Sequence, residues 1–535
     1  MLGDRCGGFV SARRFLHERS SGLRAPRYER LVNPLTRAEA TSYNETSLHA
    51  DVMAFYAALS ARNDPRLHVA TFGTSPGGRE LPIVVVSAHG IKTPEESRRR
   101  GLPVVLVISG IHAGEVEGKE ASMMLVRDIL DGPHSDLVTK LTLVCVPLFN
   151  PDGNDAIDPA NRRLDLPKLE GQIGPDKVGT RVNASGINLN RDYLRQAALE
   201  MRLLQSRVVQ VWEPELTIDT HATNGSVHRF AMTYDVPHTV PAGRPEPIAY
   251  MRTKMMPAVT SALSMNHRLL AGWYGNFVED ERALDARGDA DPNTAVTEGW
   301  MTYPHHPRFG SNYRGLTNRL DLLLECYSYL SFPDRVRTTY ATLLEALTYV
   351  AVHGDEIEQL VATSKQPRDK IAVRSRLDVF DDPIEIATHT PRTLVGAPST
   401  VSLRYFANFV GTTVIDRPPA YVVPAGVAAH LRRHGLAVEA ASGGCDVEVA
   451  TVTGFATEGG RKILEASEVG DLQVGWRREA RQVPAGSELV RTDQPLGAIA
   501  VYLCEPESDD GAVENGLVTA PKQGAEFPIW RAWPA

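Results

Sequence analysis

Residues 103 to 109 read PVVLVIS, a continuous apolar run rich in β-branched residues that ends at Gly110. Too short for a helix and without a polar face, such a run suits a strand buried on both sides. A similar run lies in LTLVCVPLFNPDG, and further strands are expected in PELTIDTH, which ends at His221, and in NRLDLLLECYSYL, which holds Glu325. A helix is predicted from about Glu117 to Leu130. Strands alternating with helices imply an α/β sheet covered by helices. In such sheets a ligand sits beyond the carboxyl ends of the strands, where His112 and His221 both fall.

Upstream, residues 36–64 (TRAEATSYNETSLHADVMAFYAALSARND) read as a helix, with Val52, Phe55, Tyr56 and Leu59 at helical spacing. Residues 69–90, with a Gly and Pro turn at their centre, read as a hairpin. A chain of 535 residues exceeds one ordinary core. The expected division is a polar leader over 1–30, a catalytic domain over 31–365, a connector over 366–395, and a smaller, mostly β accessory domain over 396–535 with one helix in GVAAHLRRHG.

Charge narrows the partners. A net charge of -8, with no basic tract, argues against nucleic acid and against an anionic membrane surface. No apolar run approaches the roughly 20 residues of a membrane span. The five cysteines, Cys6, Cys145, Cys326, Cys445 and Cys504, form no CxxC pair, so a thiolate metal site or a disulfide framework is not expected. The Arg-rich leader lacks the apolar centre of a signal peptide. A cytoplasmic location is expected on that ground, or a periplasmic or secreted one if the true start lies upstream.

The HxxE spacing occurs twice, at His112 with Glu115 and at His353 with Glu356. The second copy lies in a polar stretch at a helix end and reads as a solvated turn. The first follows a buried strand. A catalytic zinc takes three protein ligands from His nitrogen and carboxylate oxygen and leaves one position open, so a third ligand must come from another strand end. His221 is placed there, with Asp219 two residues earlier on the same side of its strand.

Between these positions lie NPDG (150–153) and RVNASGINLNRDY (181–193). The order HxxE, NPDG, NxxGxxLNRD, strand-end His and a late Glu in an apolar run resembles the zinc carboxypeptidases of the carboxypeptidase A and B type, over roughly His68 to Leu347. The resemblance implies a mixed, mainly parallel eight-stranded sheet with helices on both faces. It also implies one Zn2+ per chain held by His112, Glu115 and His221, and a peptide substrate with a free C-terminal carboxylate held by Asn190 and Arg191. Glu325 matches the general base. A carboxylate buried behind Leu322, Leu323 and Leu324 is costly to keep ionised, and its pKa should rise toward a useful range. For the oxyanion the resemblance points to Arg181, with Arg162 or Arg163 as alternatives, one of the three facing the zinc. Tyr303, 22 positions before Glu325, matches the substrate-capping Tyr, with Tyr313 as the alternative.

Two positions depart from the family pattern GVDLNRN. Asn188 stands where an Asp is expected to take the N–H of the first His ligand, which keeps the hydrogen bond and loses the charge. Asp192 follows the Arg and is expected to bring a negative charge near the carboxylate site, favouring substrates with a basic end. The function implied is hydrolysis of C-terminal amide bonds. The alternatives are a zinc amidohydrolase on the same fold, deacylating N-acyl amino acids or trimming peptidoglycan peptides, and a non-catalytic binding module.

Overall fold

The computed structural model describes residues 33–280, 290, 297–456 and 471–534. The expected leader over 1–30, with Cys6, lies outside them. In chain order the first strands are β1 (Leu67–Thr74), β2 (Glu80–Val86), β3 (Val104–Ser109), β4 (Thr142–Val146), β5 (Leu216–Thr223), β6 (Met232–Asp235) and β7 (Ala271–Trp273). Two two-residue strands follow, β8 (Asn276–Phe277) and β9 (Trp300–Met301), then β10 (Leu320–Tyr327).

Eight of these form one sheet in the order β1-β2-β4-β3-β5-β10-β6-β7. β3 runs parallel to β4 and β5, β10 parallel to β5, and β6 parallel to β7. The other three pairings are antiparallel: the β1–β2 hairpin, β2 with β4, and β10 with β6. The mixed, mainly parallel eight-stranded sheet is therefore present.

Strand side chains alternate between faces, and the two faces feed separate cores. Val105 and Val107 of β3 join the core of the helices His49–Ser60, Glu117–Asp131 and Phe332–Thr363. Val104, Leu106 and Ile108 join the core of Met201, Leu204, Val208 and Trp212 on the other side. Double-sided burial accounts for the absence of any polar position from Val104 to Ile108.

The predicted helix over 36–64 is two helices, Arg37–Ala40 and His49–Ser60. Between them Ser42 and Tyr43 take left-handed backbone conformations (φ 52 and 64). Thr46 and Ser47 turn inward to bond the buried Glu120 carboxylate, so a polar tertiary contact overrides local helix preference.

Downstream come β11 (Lys370–Val379), β12 (Ile384–Thr390), β13 (Ala397–Leu403), β14 (Tyr405–Asp416), β15 (Ala420–Val423), β16 (Val438–Ala440), β17 (Gly444–Ala456), β18 (Asp471–Gln482), β19 (Glu488–Arg491) and β20 (Trp530–Trp533). The predicted helix in GVAAHLRRHG is present at Ala425–Arg433. Residues 366–395, expected as a connector, carry β11 and β12. β11 pairs along most of β14, which also runs parallel to β9, and β12 pairs with β13. These long pairings supply the backbone hydrogen bonds that a structureless connector would leave to water. Pro34–Ala535 form one compact unit. Among the described residues no helix is long and apolar enough to cross a membrane, and Cys145, Cys326 and Cys504 are buried free thiols.

Candidate metal centre and pocket

β3 ends at Ser109, and Gly110 (φ 70) takes a left-handed conformation that costs glycine little. The turn that follows is closed by Glu115 N–H donating to the His112 carbonyl at 3.0 Å. It aims His112 and Glu115, each 4% exposed, across the carboxyl end of β5. Gly118 lets the ensuing helix press on that strand, since a Cβ there would collide with the Thr220 hydroxyl.

Three side chains converge on one point. His221 Nδ1 lies 3.2 Å from His112 Nδ1 and 3.0 Å from Glu115 Oε2, and His112 Nδ1 lies 3.2 Å from Glu115 Oε1. Both imidazoles present Nδ1 to the centre and turn Nε2 outward. His112 Nε2 meets Asn188 Oδ1 at 3.1 Å, and His221 Nε2 approaches Asp219 Oδ1 at 3.2 Å as an ion pair outside aligned hydrogen-bond geometry. Two imidazole nitrogens and one carboxylate, each ring oriented by an oxygen behind it, form a donor set that fits zinc. His353 and Glu356 stand 3.6 Å apart, the His half-buried against Tyr349 and the Glu exposed, within the helix Phe332–Thr363 and not at its end as expected, and no third ligand candidate joins them among the described residues.

The electrostatics differ from ligand to ligand, and the raised His221 must give up a proton for a metal to bind. Burial, helped by the Arg181 cation, pushes the His112 imidazole down to about 3, so its Nδ1 lone pair is available. Burial pushes Glu115 up, but His112, His221 and Arg162 outweigh it and hold this carboxylate well below its ordinary range. For His221, Asp219 and Glu115 outweigh burial and raise it. Glu325 pairs in register with His221 on the neighbouring parallel strand. Burial first, then Glu115, carries its carboxyl up to about 8 against the lowering pull of His221 and the arginines.

A cavity of about 490 Å³ opens at this centre. His112, Glu115, Glu325, Arg181, Asn190, Arg191 and Tyr303 all line it, as do Arg162 and Arg163. One arginine was expected to face the zinc site, and two reach the candidate ligands. Arg162 reaches Glu115 Oε1 at 3.0 Å and is braced by the Ala222 carbonyl and Ser328 Oγ. Arg181, more exposed, lies 3.1 Å from His112 Nδ1 and 3.5 Å from Glu115. The two come from one long excursion after β4, so proximity in sequence to LNRD found Arg181 and missed Arg162.

Asn190 Oδ1 accepts the Gly310 N–H at 2.9 Å, and the Arg191 guanidinium stacks 3.9 Å above the Phe309 ring. Tyr303 is half-buried, its ring against Phe309 and Tyr274 at the pocket wall, and loss of solvent around its hydroxyl raises it well above the ordinary phenol range. Tyr313, the alternative, bonds His434 Nδ1 at 2.8 Å and does not line the cavity. Asp192 does not bring charge to the pocket. Its buried carboxylate accepts the N–H groups of Ala197 and Ala198 at 2.8 Å each, capping the turn that follows.

The rest of the pocket wall escaped sequence reading. Asn276 lines it from the two-residue β8, and Thr302 and Phe309 from the loop after β9, elements too short to show periodicity. Arg314, buried between Asp219 and Asp321, holds Asp219 behind His221; it is the one charged residue of GSNYRGL, which precedes β10.

Residues 52–215 match the zinc carboxypeptidase family model, a span that includes His112, Glu115, Asn190 and Arg191 and stops short of His221 and Glu325. Carboxypeptidase 2 of Trichophyton equinum is 21% identical over 490 residues, covering 87% of this chain and 82% of the relative. Carboxypeptidase 2 of Trichophyton rubrum is 21% identical over 486 residues with the same coverage. Among solved structures, a metallo-carboxypeptidase from Burkholderia cenocepacia aligns with a TM-score of 0.37 at 17% identity, over 56% of this chain and 69% of the other. Bovine thrombin-activatable fibrinolysis inhibitor aligns with a TM-score of 0.40 at 13% identity, over 59% and 99%. Structural likenesses this distant add nothing to the assignment of individual residues.

Proposed function

The chain carries a zinc carboxypeptidase domain, and from that premise we propose that its pocket removes residues from the C-terminal end of peptides. The observation that carries the reading is the meeting of His112 Nδ1, Glu115 and His221 Nδ1 within 3.0 to 3.2 Å, with Glu325 beside them on the next strand. The cofactor is zinc, which when bound supplies a Lewis acid for the scissile carbonyl and makes water more acidic.

The side chains divide the remaining work. Glu325, raised toward neutrality, takes a proton from the attacking water and returns it to the departing amine nitrogen. Arg162 and Arg181 stabilise the negative charge that develops on the carbonyl oxygen; Arg162, braced and mostly buried, does so with little reorganisation, and Arg181 adds its charge from the more exposed side. Tyr303 closes the pocket with a neutral hydroxyl. Asn190 and Arg191 hold the substrate's terminal carboxylate; the guanidinium plane, steadied on Phe309, offers a two-pronged grip that a lysine could not.

The test compares peptides with free and amidated C-termini. Wild type should prefer the free acid strongly. Arg191→Ala should lose roughly 2 to 5 kcal/mol of binding for the free acid, and amidation should then add little, because the same interaction is already gone. Equal cleavage of both peptides by wild type would remove the exopeptidase reading.

A further inference from the structure

The pocket wall that faces Arg191 is anchored by residues two hundred positions further along the chain. Between β9 and the helix Gly310–Leu316, the loop 302–309 presents Tyr303 and Phe309 to the cavity. Its far side is gripped by consecutive aspartates in the loop after the helix Gly497–Cys504. Asp510 Oδ2 accepts the Arg308 backbone N–H at 2.8 Å, and its Oδ1 accepts Arg308 Nε at 3.0 Å. Asn515 donates to the same Oδ1 at 3.1 Å. Asp509 Oδ2 accepts His305 Nε2 at 2.9 Å and the Ser375 N–H at 3.0 Å, while its Oδ1 takes the Tyr502 hydroxyl.

His305, His306 and Asp509 lie close enough together to hold an ion. The hydrogen bonds argue for a strut instead, because both Asp509 oxygens are already committed to three donors. Arg308 and Asp510, 5% and 0% exposed at their side chains, form a buried, multiply bonded ion pair, a kind of contact that fixes geometry more than it adds stability.

From the strut the effect reaches the pocket in two short steps. Phe309, next to Arg308, carries the Arg191 guanidinium on its ring, and Gly310 N–H donates to Asn190 Oδ1. We infer that Asp510, through Arg308, is a positioning residue for carboxylate recognition: the C-terminal part of the chain sets the orientation of the Asn190–Arg191 pair. This rests on the carboxylate reading proposed above. The metal ligands and Glu325 sit at the ends of β3, β5 and β10, outside the loop, and Tyr303 on the loop is held separately by His238 and Tyr274, so the strut should govern carboxylate capture and leave the chemical step alone.

The experiment measures kcat and KM of the zinc-loaded full chain on free and amidated peptides in wild type, Asp510→Asn, Arg191→Ala and the combination. Asp510→Asn should raise KM for the free acid about tenfold, a partial loss of the Arg191 contact whose full removal costs more. kcat should stay within about twofold and zinc content should not change. The KM effect should vanish for the amidated peptide and in the Arg191→Ala background. Should Asp510→Asn fail to fold because it strands a buried cation, the pair Arg308→Gln with Asp510→Asn removes both charges and is read the same way. A fall in kcat at constant KM, or an equal KM rise with Arg191 already absent, overturns the inference. So does a second zinc per chain that His306→Ala abolishes. Discrimination by wild type with an unchanged Asp510→Asn defeats this inference alone, whereas equal cleavage of both peptides by wild type defeats the carboxylate reading and takes the strut with it.

Discussion

Asn188 is the residue whose replacement has the most closely calculable effect. Its Oδ1 accepts from His112 Nε2 at 3.1 Å and from the Asn190 backbone N–H at 3.0 Å. One oxygen thus orients a metal ligand and caps the turn that carries Asn190 and Arg191. Asn188→Asp preserves both bonds and makes them charge-assisted. A neutral hydrogen bond contributes about 1 kcal/mol and a charged one about 2. The gain of about 1 kcal/mol corresponds to roughly fivefold tighter zinc. Without zinc the new carboxylate would share a buried site with Glu115, which widens the gap between loaded and empty states. Asn188→Ala deletes both bonds, and loss of a partner that orients a metal ligand typically costs about 10- to 100-fold in affinity. Competition between the protein and a chromophoric chelator, at fixed pH, reads both changes. Unchanged affinity in Asn188→Ala would refute the claim that this oxygen orients His112, and weaker zinc in Asn188→Asp would refute the electrostatic part.

Other outcomes follow from the same geometry. Glu325→Gln should keep zinc and substrate binding while kcat falls on the order of a hundredfold or more; an active variant would move the base elsewhere. His112→Ala should lose both zinc and activity, and His353→Ala, altering the second HxxE copy, should lose neither. The acid limb of kcat/KM should lie above the ordinary carboxylate range and below about 8, because burial raises Glu325 and a bound cation draws it back. Activity should rise with pH through that limb as Glu325 loses its proton, and a limb at ordinary carboxylate pH would show that this carboxyl is not the base.

How much was legible in the sequence depended on the range of the forces involved. Burial on both faces writes itself into consecutive residues, so PVVLVIS and its neighbours gave away the central strands, and with them the ends where His112 and His221 sit. Glu325 stood out because a charge among leucines has an electrostatic cost visible without a structure. The split between Ala40 and His49 was hidden, since Glu120, which draws in Thr46 and Ser47, lies more than seventy residues away. The placement of Arg162 beside Arg181 depends on how one long irregular excursion folds. The wall formed by Asn276, Thr302 and Phe309 is likewise a product of tertiary contacts, and nothing in the spacing of Asp509 and Asp510 announces that they meet His305 and Arg308.

The central claim, a zinc centre that trims peptides from the carboxyl end, is met most directly by mass spectrometry of products. A series of short peptides with varied free C-terminal residues is incubated with the zinc-loaded protein and with the same protein stripped by a chelator. The account predicts products shortened by one residue from the carboxyl end, formed only with zinc and absent with His221→Ala. Internal cleavage, removal of an N-acyl group with the C-terminus left intact, or equal turnover by the stripped protein would contradict it.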